Sequence, residues 1–109
     1  MAFTRGFTCT VPAIPTVQRD DDALRITQWD FVPGAVTGWH THGWPYFVVM
    51  LTDATMHIHD GTNVSEARLV KGRTYQRPSG VVHDVMNGGT APMAFVEIEI
   101  KRPDAIAFP

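Results

Sequence analysis

The chain contains one cysteine, Cys9, so no disulfide can close within it and the fold must be held by its core. Cys9 has no neighbouring His or Cys motif; an inert thiol in a reducing compartment, the cytoplasm, is the expectation. Charge is also scarce. Only 18% of residues are charged, against about 25% in an ordinary soluble domain, and the net charge is −2. Neither sign is in excess, so no nucleic acid and no anionic membrane surface is expected as a partner. No apolar run approaches the ~18 residues that span a bilayer. The first twenty residues hold no 7–15-residue apolar stretch, so no signal peptide is expected. Also missing are a phosphate-cradling glycine loop, a serine nucleophile elbow and zinc-ribbon spacing.

A helical period is absent too: no stretch keeps apolar residues in helical register for two turns. Short β-rich runs alternate with turn residues instead, which suggests a sandwich or barrel. Strands are expected near Thr16–Arg19, Ala23–Phe31, Thr37–His42, Tyr46–Leu51, Thr55–His59, Ser65–Leu69, Thr74–Arg77, His83–Met86 and Met93–Ile100. The 109 residues suffice for one domain, expected over 23–102. Residues 1–22 are expected to form an N-terminal arm docked through Phe3 and Phe7, and residues 103–109 a surface tail. A charge-poor surface is expected where part of it is covered, which favours a homodimer.

Against this background three histidines stand out. His40 and His42 form a His-x-His pair, and strand side chains alternate, so both imidazoles share one face. His83 must come from another strand. Three convergent neutral imidazoles suit one divalent transition metal with open coordination positions, among Fe, Mn, Ni, Zn and Cu.

The spacing around them resembles a known superfamily. Gly34, five residues, His40-Thr41-His42, three residues and Tyr46 resemble the first cupin motif up to its last metal position. Gly72, five residues, Pro78-Ser79-Gly80, two residues, His83, three residues and Asn87 resemble the second throughout. The segments GWHTHGWPYFVV, TYQRPSGVVHDV and FVEIEIK look like small single-domain bacterial cupins filed under β-alanine degradation. The resemblance covers roughly residues 23–100. It implies an all-β fold, a cupin-type jelly-roll barrel, with the metal held by His40, His42 and His83.

Two departures from the pattern matter. Where the pattern usually has a glutamate ligand, this chain has Tyr46. A neutral phenol is a poor ligand at pH 7, so three histidines and water are the expected ligands, with Tyr46 a proton donor, an orienter or a pocket wall, or a ligand where the metal depresses its pKa. Val48 and Met50 follow it on the same face. In place of the glycine closing the first motif stands Asp53-Ala54, where Asp can take a left-handed turn. Tyr75 and Arg77 share a strand face that the resemblance turns towards the pocket. There Arg77 would grip a substrate carboxylate through a bidentate fork; otherwise it pairs with Glu97 or Glu99. Trp44, in a loop beside Pro45, either shapes the pocket mouth or packs ordinarily.

Other chemistry-bearing residues read as structural. His57 and His59 alternate with Met56 and Ile58 and are expected to face outward. Glu97 and Glu99 alternate with Val96, Ile98 and Ile100 and are likewise expected to form an outward row. Asp84 should point away from its neighbour His83. The site then admits three functions. It serves an enzyme acting on a small carboxylate or carbonyl compound, a non-catalytic ligand-binding module, or a metal that only locks a fold.

Overall fold

The computed structural model describes residues 6–7 and 11–105 and is all-β. Among the described residues nine strands form in the order expected: β1 (Ile14–Asp20), β2 (Leu24–Phe31), β3 (His40–Thr41), β4 (Tyr46–Met50), β5 (Ala54–His59), β6 (Val64–Leu69), β7 (Thr74–Arg77), β8 (Val82–Asn87) and β9 (Met93–Ile100). They build two antiparallel sheets, β1-β2-β9-β4-β7 and β3-β8-β5-β6. Residues from both sheets meet in one core: Phe31, Val48, Met50, Met93 and Phe95 from the first, Met56 and Val85 from the second. This is the jelly-roll arrangement that the two motifs imply.

Residues 14–20, grouped above with the arm, pair with β2 and form the edge strand of the larger sheet. Phe7 docks on its own domain. Its N–H donates to Asp84 at 2.8 Å, and its ring meets His59 edge-on at 5.5 Å. Phe3, Cys9 and the last four residues of the tail lie outside the described residues.

The strand expected over Thr37–His42 is shorter, and Gly38 is the reason. Its φ of 87° turns the chain out of extended conformation, and its N–H goes to Asp84 Oδ1 at 3.1 Å instead of to a ladder partner. Only His40 and Thr41 pair regularly with β8, while Thr37 and His42 donate singly to Val85 and Val81. The Asp53 turn departs from expectation too. Among the described residues no non-glycine has positive φ, and Asp53 ties its turn to the one between β6 and β7 by accepting the Lys71 N–H at 2.8 Å.

Asn87, which ends the second motif, is 1% exposed and ties β8 to neighbouring backbone. Its amide donates to the carbonyls of Phe31 at 3.2 Å and Ala91 at 2.8 Å, and accepts from Gly89 N–H at 3.0 Å. A motif position is thereby accounted for by backbone satisfaction alone.

Candidate metal centre

His40 and His83 are paired directly across the β3–β8 ladder, so their side chains leave the sheet on the same side. The third histidine thus belongs to the neighbouring strand of the same sheet. His42, two residues beyond His40, returns to that side by alternation. The three rings converge through one edge. Nε2 of His42 lies 2.9 Å from that of His40 and 3.1 Å from that of His83.

The tautomer of His40 follows from its other nitrogen. Nδ1 sits 2.7 Å from the Gly38 carbonyl, which can only accept, so Nδ1 carries the proton and Nε2 the lone pair. Lone pairs at this separation repel unless a cation or a proton lies between them. Bonds of about 2.0–2.1 Å to one ion at tetrahedral angles set neighbouring nitrogens about 3.3 Å apart, a few tenths of an ångström from what is observed. The donor set therefore fits one small divalent ion.

Electrostatics keep the site ready for it. Burial, followed by the charge of His40, lowers His42 to about 4; burial, His40 and His42 lower His83 to about 3. Both are neutral, ligand-competent imidazoles at pH 7.

Tyr46 packs flat on His42, with ring centroids 3.9 Å apart and planes 21° apart. Burial, then the charge of Glu97, pushes its hydroxyl above the ordinary phenol range. At pH 7 its phenol is therefore neutral. Tyr46, Tyr75, Arg77 and His83 line one cavity of about 350 Å³, with apolar walls including Met56, Ile58, Leu69 and Val85. Burial pushes Tyr75 up to about 12, and its hydroxyl donates to Met56 Sδ at 3.9 Å.

Some expected pocket residues lie elsewhere. Val48 and Met50, each 1% exposed, belong to the core and not to the cavity lining. Their parity along β4 is right, but both are covered. Trp44 is also outside that lining; it lies under two cations, Arg25 at 5.3 Å and Lys101 at 5.1 Å. His57 is at the surface beside Glu66 at 3.2 Å, and His59 packs against Trp39 and Phe7. Asp84, away from the triad, accepts the backbone N–H groups of Phe7 and Gly38.

The clearest correction concerns Glu97 and Glu99, expected outside and found inside at 8% and 4% exposure. Along β9 the buried residues are Met93, Phe95, Glu97 and Glu99, so the inner face changes from apolar to acidic as it reaches the histidines. Val96, Ile98 and Ile100 lie half-buried on the outer face. The signal was present in the parity shared with Met93 and Phe95. Arg25, not Arg77, takes Glu99, through two bonds of 2.8 and 3.1 Å. Glu97 Oε1 lies 3.7 Å from His42 Nδ1, and burial followed by Glu99 pushes its carboxyl up to about 7. Both carboxylates, with His40 and His42, line a second cleft of about 330 Å³, which Trp29 also lines; the buried indole N–H of Trp29 has no hydrogen-bond partner among the described residues.

No protein-family model matches the chain. A curated relative from Pseudomonas aeruginosa, "Beta-alanine degradation protein BauB", is 46% identical over 89 residues, covering 82% of this chain and 94% of its own. A cupin domain from Bordetella pertussis is similar in structure, with TM-score 0.80 and 39% identity over 93% of this chain and all of that one. A double-stranded β-helix protein from Klebsiella pneumoniae shares the fold at TM-score 0.69 and 21% identity, covering 88% of this chain and 83% of its own.

Proposed function

The chain belongs to the cupin family, and on that premise we propose that it is a metal-dependent enzyme for a small carboxylate or carbonyl compound. The observation that carries this reading is the convergence of three imidazole Nε2 atoms beside a cavity with both a cationic and an apolar wall. His40, His42 and His83 would hold one divalent transition metal. Such an ion supplies Lewis-acid polarisation of a substrate oxygen, or dioxygen chemistry if it is iron.

The chain's own groups divide the remaining work. Arg77 lines the cavity with Tyr46 and offers a planar fork for a carboxylate. Arg73 and Asp60 also line the cavity, one charge of each sign. The Tyr46 hydroxyl, neutral at pH 7 and held by stacking on His42, donates to the substrate oxygen that gains negative charge. Met56, Ile58, Leu69 and Val85 displace water around the remainder of the substrate. The name of the Pseudomonas relative, which refers to β-alanine degradation, accords with a substrate of this class.

A product-detecting screen of small carboxylates and carbonyl compounds against protein loaded with each of Fe, Mn, Ni, Zn and Cu tests the reading. Turnover with one metal supports it. Ligand binding without turnover under all five points to the second reading, a non-catalytic ligand-binding module. If Tyr46 is the donor, Tyr46→Phe lowers kcat by about 10²-fold or more with metal content unchanged. Retention of kcat within a few-fold would leave Tyr46 a wall.

We also propose that the outer face of the larger sheet meets a second copy of the chain. Phe47, 43% exposed, lies opposite Ile98 in the ladder, and Ile98 lies opposite Ile26, so an apolar row crosses three adjacent strands on this face. An exposed apolar row on a sheet face suits a two-fold contact between copies. Analytical ultracentrifugation should find a dimer that Phe47→Glu converts to monomer. A wild-type monomer at high micromolar concentration would refute it.

A further inference from the structure

Glu97 is a buried carboxylate with no role in the scheme above. Its position on β9 sets it opposite Thr27 on one side and Val48 on the other, under the larger sheet and facing the histidines. Its acidic neighbour Glu99 is committed to Arg25 through a two-bond fork. Among the described residues Glu97 has no such cation. The group it faces is the far nitrogen of His42, Nδ1, at 3.7 Å, while Nε2 of the same ring points to His40 and His83.

The two edges of the His42 ring thus meet opposite chemistries: a carboxylate at Nδ1 and converging lone pairs at Nε2. A carboxylate beside Nδ1 favours the tautomer with its proton there, which leaves Nε2 free to bind and makes it a stronger donor. His40 solves the same problem with the Gly38 carbonyl. The charge arithmetic points the same way. Three neutral imidazoles leave a divalent ion uncompensated, and position 46, where the motif usually has glutamate, carries a neutral phenol. Glu97 is near enough for its charge to act on that phenol.

We propose that Glu97, in its ionised form, is the positioning residue of His42: it accepts a hydrogen bond from His42 Nδ1–H, aims Nε2 at the metal, and supplies from β9 the negative charge that Tyr46 does not. At 3.7 Å the Nδ1–Oε1 pair lies less than an ångström beyond hydrogen-bond distance. This inference rests on the reading that the histidines hold a metal, and the test separates the two.

Full-length wild type, Glu97→Gln and Glu97→Leu are stripped of metal and titrated with Co²⁺, following its absorption bands and chelator competition. Thermal unfolding of the metal-free proteins is measured alongside. Gln keeps an acceptor but loses the charge; Leu keeps approximate volume and loses both. Wild type should take up one Co²⁺ per chain. Glu97→Gln should bind about 10-fold and Glu97→Leu about 100-fold more weakly, with shifted bands and metal-free unfolding temperatures not below wild type. Folded variants that bind Co²⁺ within twofold of wild type would overturn the proposal. So would a fall in metal-free stability with unchanged affinity, which marks a structural role. A wild type that binds no Co²⁺ would overturn the metal site itself.

Discussion

Replacing His83 with alanine should lower divalent-metal affinity by more than 100-fold without unfolding the chain. Loss of an outer partner of a ligating histidine typically costs about 10–100-fold, and loss of a ligand must exceed that. The fold should survive because His83 and His40 pair through backbone groups, which the substitution leaves in place. Two imidazoles would then remain, 2.9 Å apart, and two neutral donors hold a divalent ion poorly. Metal added at about 1,000 times its Kd should stabilise wild type by about 4 kcal/mol, seen as a rise in Tm, and His83→Ala much less. Stoichiometric metal in a folded His83→Ala protein would refute the triad.

The second large effect is a loss of stability in metal-free protein as the pH falls. His42 and His83 are lowered to about 4 and about 3 by burial first and then by the charge of His40. In the unfolded chain they titrate near 6.5. Between pH 6 and 5 the unfolded state therefore binds about two more protons at these sites than the folded state, so stability is present above 6.5 and lost below it. Glu97 acts in the opposite sense. Its folded value, raised to about 7, keeps a proton that the unfolded chain has released above about 4.5. The net difference is about one proton, so stability should fall by about 1.4 kcal/mol per pH unit over this range. Glu97→Gln removes the opposing group and should steepen the fall to about 2.7 kcal/mol per unit. Urea unfolding at pH 5, 5.5 and 6 checks both slopes; a flat profile in metal-free wild type would contradict this view of the buried histidines.

Much of the fold was legible in the chain because its punctuation is local. Gly34, Gly72 and Gly80 all have positive φ, a conformation that glycine takes without strain, and they mark the turns that separate the strands. The triad was legible for a related reason: a His-x-His pair on a strand fixes its own geometry. That His83 would neighbour His40 in the same sheet depends on strand pairing, which no local pattern reveals. Gly38 was missed as a break because a lone glycine within a strand pattern reads as tolerated until a partner such as Asp84 claims its N–H.

The orientation of β9 is the instructive failure. Alternation of Val96, Ile98 and Ile100 with Glu97 and Glu99 reads as an apolar inside and an acidic outside. That inference assumes one covered face. Here the outer residues Ile98 and Ile26 support each other across the ladder, while the inner end of the strand adjoins the histidines, where polar groups have partners. Val48, Met50 and Trp44 show the complementary limit. Alternation gives the side of a sheet, but the depth at which a cavity ends depends on packing from the other layer.

X-ray absorption at the metal edge of wild-type protein loaded with one equivalent of metal tests the central claim most directly. Three histidines predict a shell of nitrogen and oxygen scatterers at about 2.0–2.1 Å for zinc, with outer scattering that requires three imidazole rings. A best fit with one imidazole or none, or with sulfur in the shell, would contradict the assignment of His40, His42 and His83 as the metal site.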